Sequence, residues 1–229
     1  MTTSAGQPDS QTAIFVREIV AWYRPDRRPF PWRVSTDTYY VTVCEVLLQK
    51  TNAEKVAVVA QRLFTMFPSP KALADGEPGL VEDVLRPLGL RKRASQVREI
   101  ARAFAGNNHQ NDRLDPESLM RLPGVGRYTS AAVGVIALGR PEALIDEHVL
   151  RIFRRVFDLA VPPRRHPTKS TREFARTLVP VGKAREYNLG LIDMGRLACR
   201  PSRPRCWECP VATACSHEER RCRNHAQTG

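Results

Sequence analysis

LPGVGRYTSAAVGVIALG, residues 122–139, is the stretch that decides the fold of this chain. Pro123 and two glycines make a tight turn, and a run of small and apolar residues then starts a helix at once. Gly124 and Gly126 leave backbone N–H groups bare beside a helix N-terminus, a geometry that holds an anion. Such a site grips a phosphate without reading a base. Leu122, Gly124, Val125, Gly126 and Arg127 are therefore candidate contacts to a phosphate backbone.

Outward from the turn, apolar residues recur at helical spacing along most of the chain. AIFVREIVAWY (13–23) predicts a helix, and Tyr39 to Phe67 predicts two. LVEDVLRPLGL (80–90) and RKRASQVREIARAFAG (91–106) predict two more around a turn at Gly89. Asp146 opens EHVLRIFRRVFDL (147–159). TREFARTLVPVG (171–182) and REYNLGLIDMGRLAC (185–199) are the last. RPDRRPFPWR (24–33) cannot be helical, with three prolines in ten residues. No strand-like alternation and no repeat occurs. The expected class is all-α, roughly ten helices with short connections.

The chain has 229 residues, enough for one large domain or two small ones, and 42% of them are hydrophobic, which supports a real core. Lys and Arg number 36 against 24 Asp and Glu, a formal charge of +12. That excess points to a polyanion, because each neutralised phosphate releases condensed counterions. No apolar run is long enough to span a bilayer, and the polar N-terminus has no charged head and apolar stretch of a signal peptide. The expected compartment is a prokaryotic cytoplasm, in association with the nucleoid and not with a membrane.

Near the C-terminus, ACRPSRPRCWECPVATAC (198–215) places Cys199, Cys206, Cys209 and Cys215 at the spacing C-x6-C-x2-C-x5-C. In a reducing compartment clustered cysteines are metal ligands before they are disulfides. Zinc sites usually show two paired C-x2-C knuckles, and here only one pair occurs. The wider outer gaps suit a [4Fe–4S] cluster. Arg200, Arg203 and Arg205 stand between the ligands, so the loop can be pressed against a phosphate backbone. Cys44 lies in an apolar helix and reads as a core residue. Cys222 lies in a polar tail and reads as free.

Together these features resemble the helix-hairpin-helix DNA glycosylases, the endonuclease III-like superfamily. That family joins L-P-G-V-G, a helix, an Asp and a C-x6-C-x2-C-x5-C cluster in this order, and the resemblance covers about residues 13–216. FPWR (30–33), EVLLQKT (45–51) and VPVGKAREYNLGLIDMG (179–195) are most similar to its mismatch-specific branch of T:G thymine glycosylases and A:G adenine glycosylases. The resemblance implies two helical lobes with double-stranded DNA in the cleft between them. A six-helix barrel lobe, 37–143, would carry the hairpin. A discontinuous lobe, 13–36 with 144–216, would carry the iron–sulfur cluster. Residues 1–12 and 217–229 would be tails. Glu45 and Asp146 would face each other across the cleft of a monomer.

Asp146 reads first as an N-cap, since its carboxylate can accept from amides at the start of the next helix. The same ionised carboxylate would stabilise the positive charge that develops on a sugar as its base leaves. The family has its essential Asp at this position. Tyr128 stands where lyase members carry a Lys whose amine attacks the sugar, and a phenol cannot do that. The resemblance therefore implies a monofunctional enzyme that leaves an abasic site. Glu45, among Val43, Cys44, Val46, Leu47 and Leu48, could be a partly buried proton donor. It could equally belong to a polar stripe with Gln49 and Asn52. The family match favours the donor.

Excision requires base flipping, and something must fill the gap. The family uses the residues at Gln49 and Lys50, with a second wedge at Leu90 and Arg91. The aromatic wedge of adenine glycosylases is absent there. Their extra C-terminal lesion-reading domain is expected to be missing as well. His148 stands two after Asp146, where both mismatch types have Asn and endonuclease III-like enzymes have His. GKAREYNLGL (182–191) is nearest to the thymine enzymes. The expected substrate is thus T, and U, opposite G. The alternatives are adenine opposite G or 8-oxoG, an oxidised-pyrimidine glycosylase/lyase, and a DNA-binding protein that has lost catalysis.

Overall fold

A computed structural model of the chain describes residues 10–89, 92–106, 115–160 and 167–217. Among these residues there are eleven α-helices, five one-turn 3-10 segments and no β-strand. No described helix is long and apolar enough to cross a membrane. The chain divides into two compact units. One is Pro25–Arg140, and the other joins Met1–Arg24 to Pro141–Gly229.

The continuous unit holds α2 (Thr38–Leu48), α3 (Ala53–Met66), α4 (Pro70–Asp75), α5 (Pro78–Leu85), α6 (Lys92–Gly106), α7 (Pro116–Met120) and α8 (Arg127–Leu138). Its helix starts follow local chemistry. Asp37, Asn52, Ser69, Glu77 and Asp115 each accept from an amide of the first turn they precede. Proline follows the cap of α4, α5 and α7, where its missing N–H costs nothing. Helix α2 packs against both α6 and α8. Val41, Leu47, Leu63, Leu73, Ile100, Leu119 and Ile136 are buried in this unit. Cys44 is fully buried too, as its apolar helix predicts.

The proline-rich stretch 24–33 is expected to hold no helix, yet it contains 3-10 turns at Pro25–Arg27 and Pro31–Arg33. Three residues are enough for such a turn, and a proline at its start forfeits no hydrogen bond. The second turn packs on α2, so this segment clusters with the continuous unit.

The discontinuous unit holds α1 (Ser10–Trp22), α9 (Glu147–Val156), α10 (Lys169–Thr177) and α11 (Ala184–Leu197), followed by the cysteine loop. Phe15, Ile19, Ile152, Phe153, Tyr187, Leu191 and Met194 form its core, and Cys199, Cys209 and Cys215 pack against it. Gly190 lets α11 approach α1: a Cβ there would stand 3.0 Å from the Ile19 carbonyl oxygen. Gln11 ties the start of α1 to the far end of the unit, donating to the carbonyls of Val156 and Ala214.

Candidate functional site

The hairpin joins α7 to α8. Gly124 has φ +79, the left-handed conformation glycine adopts most readily, and the Gln96 side chain lies 3.2 Å from where a Cβ would stand. The N-cap of α8 is Gly126, which has no side chain to accept from the first amides. Arg127 and Tyr128 follow on the exposed side, Tyr128 at 39% exposure. Gly126 is exposed, Leu122 and Gly124 are half-buried, and Val125 is buried, so Val125 has only its backbone to offer a ligand. The Val125 N–H donates to the Leu122 carbonyl, so the turn offers the amides around it, with a cation and a phenol beside them.

The turn after α2 lies against this hairpin. Gln49 Nε2 donates to the Gly124 carbonyl (2.7 Å) and to Thr129 Oγ1 (3.3 Å). Lys50 is exposed and has φ 56, a left-handed backbone that few residues with a Cβ adopt. Behind the turn sits Arg93 of α6, only 3% exposed. It donates to the Leu47 carbonyl (2.9 Å), to Thr51 Oγ1 (2.6 Å) and to the Gln49 carbonyl.

Glu45 lies one turn back on α2 and is half-buried. Burial of the carboxyl raises its pKa from 4.5 to about 7, and the Arg33 guanidinium opposes the rise. A stripe of Glu45, Gln49 and Asn52 does not form. Helix α2 ends at Leu48, and Asn52 turns its side chain to cap α3, accepting from Glu54 N–H (2.8 Å) and Lys55 N–H (3.3 Å).

In the discontinuous unit, Asp146 is the N-cap of α9, and its Oδ1 accepts from Val149 N–H at 2.8 Å. His148 is half-buried in the first turn. Its Nδ1 lies 2.9 Å from Arg151 Nη2. A guanidinium can only donate, so Nδ1 accepts and the ring proton sits on Nε2. The His148 pKa is lowered, chiefly by burial; Asp146 opposes this, and Arg151 and Arg196 add to it. Arg151 also donates to the carbonyls of Gly195 (2.7 Å) and Cys199 (2.9 Å), tying α9 to the end of α11.

The four cysteines of the terminal loop are half-buried. Burial pushes the Cys209 thiol up to about 12, and Cys199, Cys215 and Cys206 contribute, so the other three cysteines lie within reach of Cys209. Arg155 donates to Cys199 Sγ (3.3 Å) and to the carbonyls of Arg200 (2.6 Å) and Pro201 (2.8 Å), fixing the loop's first half. Among the described residues no three His, Cys, Asp or Glu side chains already converge on one point that would hold a single ion. A zinc ion needs its sulfurs about 2.3 Å from a common centre. An iron–sulfur cluster is held by four cysteine thiolates, and this loop carries four cysteines, so their chemistry is compatible with such a group.

The structure therefore gathers Gln49, Lys50 and the hairpin residues in one unit, with Glu45 on the same helix as the turn. Asp146, His148 and the cysteines belong to the other. Leu90, Arg91 and Cys222 lie outside the described residues, as do residues 1–9 and 218–229 of the two expected tails. Sequence reasoning missed Arg93. A signal existed: Arg93, Val97, Ile100 and Ala101 are spaced i, i+4, i+7 and i+8, so the arginine occupies the buried stripe of α6. In RKRAS it reads as one more surface cation. Arg33, 5% exposed, stands out in the sequence only as part of FPWR, and no local pattern marks its burial.

Residues 43–180 match the family described as HhH-GPD superfamily base excision DNA repair protein. The chain is 32% identical over 208 residues to a thymine/uracil-DNA glycosylase of Methanothermobacter thermautotrophicus, covering 90% of this chain and 94% of that protein. It is 34% identical over 204 residues to a thymine-DNA glycosylase of Aeropyrum pernix, covering 87% and 92%. The solved structure of a thermostable thymine-DNA glycosylase superposes with a TM-score of 0.83 at 32% identity, covering 92% of this chain and 97% of that one.

Proposed function

The chain belongs to the HhH-GPD superfamily of base excision DNA repair proteins, and on that premise we propose that it is a monofunctional DNA glycosylase that removes thymine, and uracil, from opposite guanine in double-stranded DNA. The observation that carries this reading is the likeness, over nearly the full length of both chains, to proteins named thymine/uracil-DNA glycosylase. Tyr128 supports the monofunctional part: an exposed phenol stands beside the hairpin where a lyase needs an amine.

The residues divide the work. Bare amides of Gly124 and Gly126, with Arg127, hold a backbone phosphate and so set the register of the duplex. The target base rotates out of the stack, and Gln49 and Lys50 fill the space it leaves. Glu45, titrating near neutrality, donates a proton to the departing base. The C1′–N bond breaks and its electron pair leaves with the base. The Asp146 carboxylate stabilises the positive charge left on the sugar. Water then adds to C1′ and releases a proton, leaving an abasic site in an unbroken strand. The neutral His148 presents Nε2–H as a further donor toward a phosphate.

Cys199, Cys206, Cys209 and Cys215 would hold a [4Fe–4S] cluster. When bound, it would cross-link the loop and supply no chemistry to the cleaved bond. Arg155 and Arg151 brace that loop from α9. The protein would act as a monomer on prokaryotic chromosomal DNA.

The test is excision from short duplexes holding one T:G, U:G, A:G or A:8-oxoG pair, with and without alkali after incubation. Alkali-dependent cutting at T:G and U:G is expected. Cutting at the adenine pairs alone would move the chain to the adenine enzymes. Cutting without alkali, with an adduct trapped by borohydride, would overturn the monofunctional reading.

A further inference from the structure

Arg93 is buried at 3% exposure, and burial alone lowers its pKa, with no carboxylate offsetting it. A guanidinium held this way needs other acceptors, since an unsatisfied buried charge is strongly destabilising. Its acceptors are the Leu47 and Gln49 carbonyls and the Thr51 hydroxyl. They are a selective set. The Leu47 carbonyl belongs to the open end of α2, where the helix dipole is negative and a cation is favoured. Gln49 and Thr51 flank Lys50, so one side chain grips both sides of the strained residue.

The strain itself is informative. A helix end commonly passes through the left-handed region, and glycine is the usual residue there. Here Lys50 occupies that conformation at φ 56 with its side chain exposed. Non-glycine residues persist in it where their surroundings over-determine the backbone, typically at functional sites. Arg93 provides that determination. Gln96, one turn along the same face of α6, lies against Gly124 of the hairpin. Gln49 joins the two turns by donating to the Gly124 carbonyl. One helix thus backs both the 49–51 turn and the hairpin.

We propose that Arg93 is a positioning residue: it presets Gln49–Lys50–Thr51 as one rigid surface that displaces a base from the duplex. The inference rests on the reading that Gln49 and Lys50 enter the space left by the flipped base.

The experiment compares the full-length protein with Arg93→Lys and Arg93→Met. The readouts are thermal unfolding, affinity for an undamaged duplex, fluorescence of 2-aminopurine placed beside a T:G pair, and single-turnover excision. A loop misplaced by about an ångström can cost about a hundredfold in rate. The Met variant should therefore lose most of the 2-aminopurine rise and excise about tenfold to a hundredfold more slowly. Its affinity for undamaged duplex should stay unchanged, and the Lys variant should fall between. If excision and undamaged-duplex affinity fall by the same factor, Arg93 only supports the fold, and the proposal is overturned. Unchanged unstacking in a folded variant overturns it too. If the Met variant does not fold, the Lys variant is judged by the same comparison. If the wild-type protein excises nothing, the functional reading fails, and the 2-aminopurine signal still decides the role of Arg93.

Discussion

Gln49 Nε2 lies 2.7 Å from the carbonyl oxygen of Gly124, so the C-cap of α2 is fastened to the turn that begins α8. The bond spans 75 positions in sequence and joins the two features that face a nucleic acid in the proposed function. Replacing Gln49 by Ala removes this tie and also the group proposed to fill the gap. A net hydrogen bond contributes about 1 kcal/mol, so loss of the tie should lower stability by about that much, and loss of the group that fills the gap should weaken affinity for a T:G duplex. No charge is removed, so the slope of log affinity against log salt should stay that of the wild type. Fluorescence anisotropy at several salt concentrations checks the affinity and the slope. A shallower slope would mean that Gln49 organises Lys50 or Arg127 against phosphates.

Glu45 gives a pH dependence with a definite sign. Its carboxyl is shifted from 4.5 to about 7 by burial, with Arg33 opposing. The folded state therefore holds this proton more tightly than the unfolded chain. The stability contributed by the neutral carboxyl is full below about pH 4.5 and is lost as pH rises through about 7. The shift bounds the loss at about 3 kcal/mol, at about 1.4 kcal/mol per pKa unit. Glu45→Gln cannot ionise, so it should match the wild type near pH 4 and exceed it in urea resistance at pH 8. Excision should rank the two proteins the other way. The wild-type rate should fall as pH rises past 7, and the Gln variant should be slow and flat. Equal urea midpoints at pH 8 would show that the carboxyl is solvated.

Much of this site is legible in the sequence. LPGVG with its small-residue helix marks the hairpin, because φ +79 at position 124 favours glycine. Asp146 is legible as a cap because a polar residue stands directly before an amphipathic run. The chain from Tyr39 to Phe67 divides into two helices where QKTN interrupts the apolar pattern. What the sequence conceals is side-chain direction over long separations. Arg93 is one of three cations in RKRAS, and its burial depends on acceptors 42 to 46 positions away. Asn52 reads as part of a polar face until the end of α2 at Leu48 turns it into the cap of α3. Periodicity reports which face is apolar, and says little about which distant carbonyl awaits a donor.

Asp146 carries two roles that a pair of substitutions separates. Asn caps a helix about as well as Asp, so Asp146→Asn should keep the thermal stability of the wild type. Asp146→Ala loses the Val149 N–H bond and should cost about 1 kcal/mol. Both variants lose the carboxylate charge, and both should excise at least about a hundredfold more slowly in single turnover. DNA affinity should hold or rise in both, since a negative charge leaves a surface that faces phosphates. If the Asn variant excises at the wild-type rate, Asp146 is a cap and nothing more.

Gly195 tests how closely α11, the helix before the cysteine loop, supports the Asp146 helix. A Cβ at this position would stand 2.6 Å from the Cβ of His148, a distance real contacts do not reach. The obstacle is no flexible side-chain tip, since a Cβ moves only with its backbone. Alanine at 195 would gain about 1 kcal/mol of helix propensity over glycine. Overpacking of this kind costs about 1–3 kcal/mol, and the clash is severe, so the cost should win. Gly195→Ala should therefore lower the unfolding midpoint. It should also slow excision by more than it weakens DNA binding, because the first turn of α9 carries both His148 and the Asp146 cap. Gly106→Ala is the control: it lies at the end of α6 with nothing within 4 Å of an added Cβ, and should lower neither stability nor excision. Equal behaviour of the two variants would mean that α11 can withdraw from α9 without moving the carboxylate.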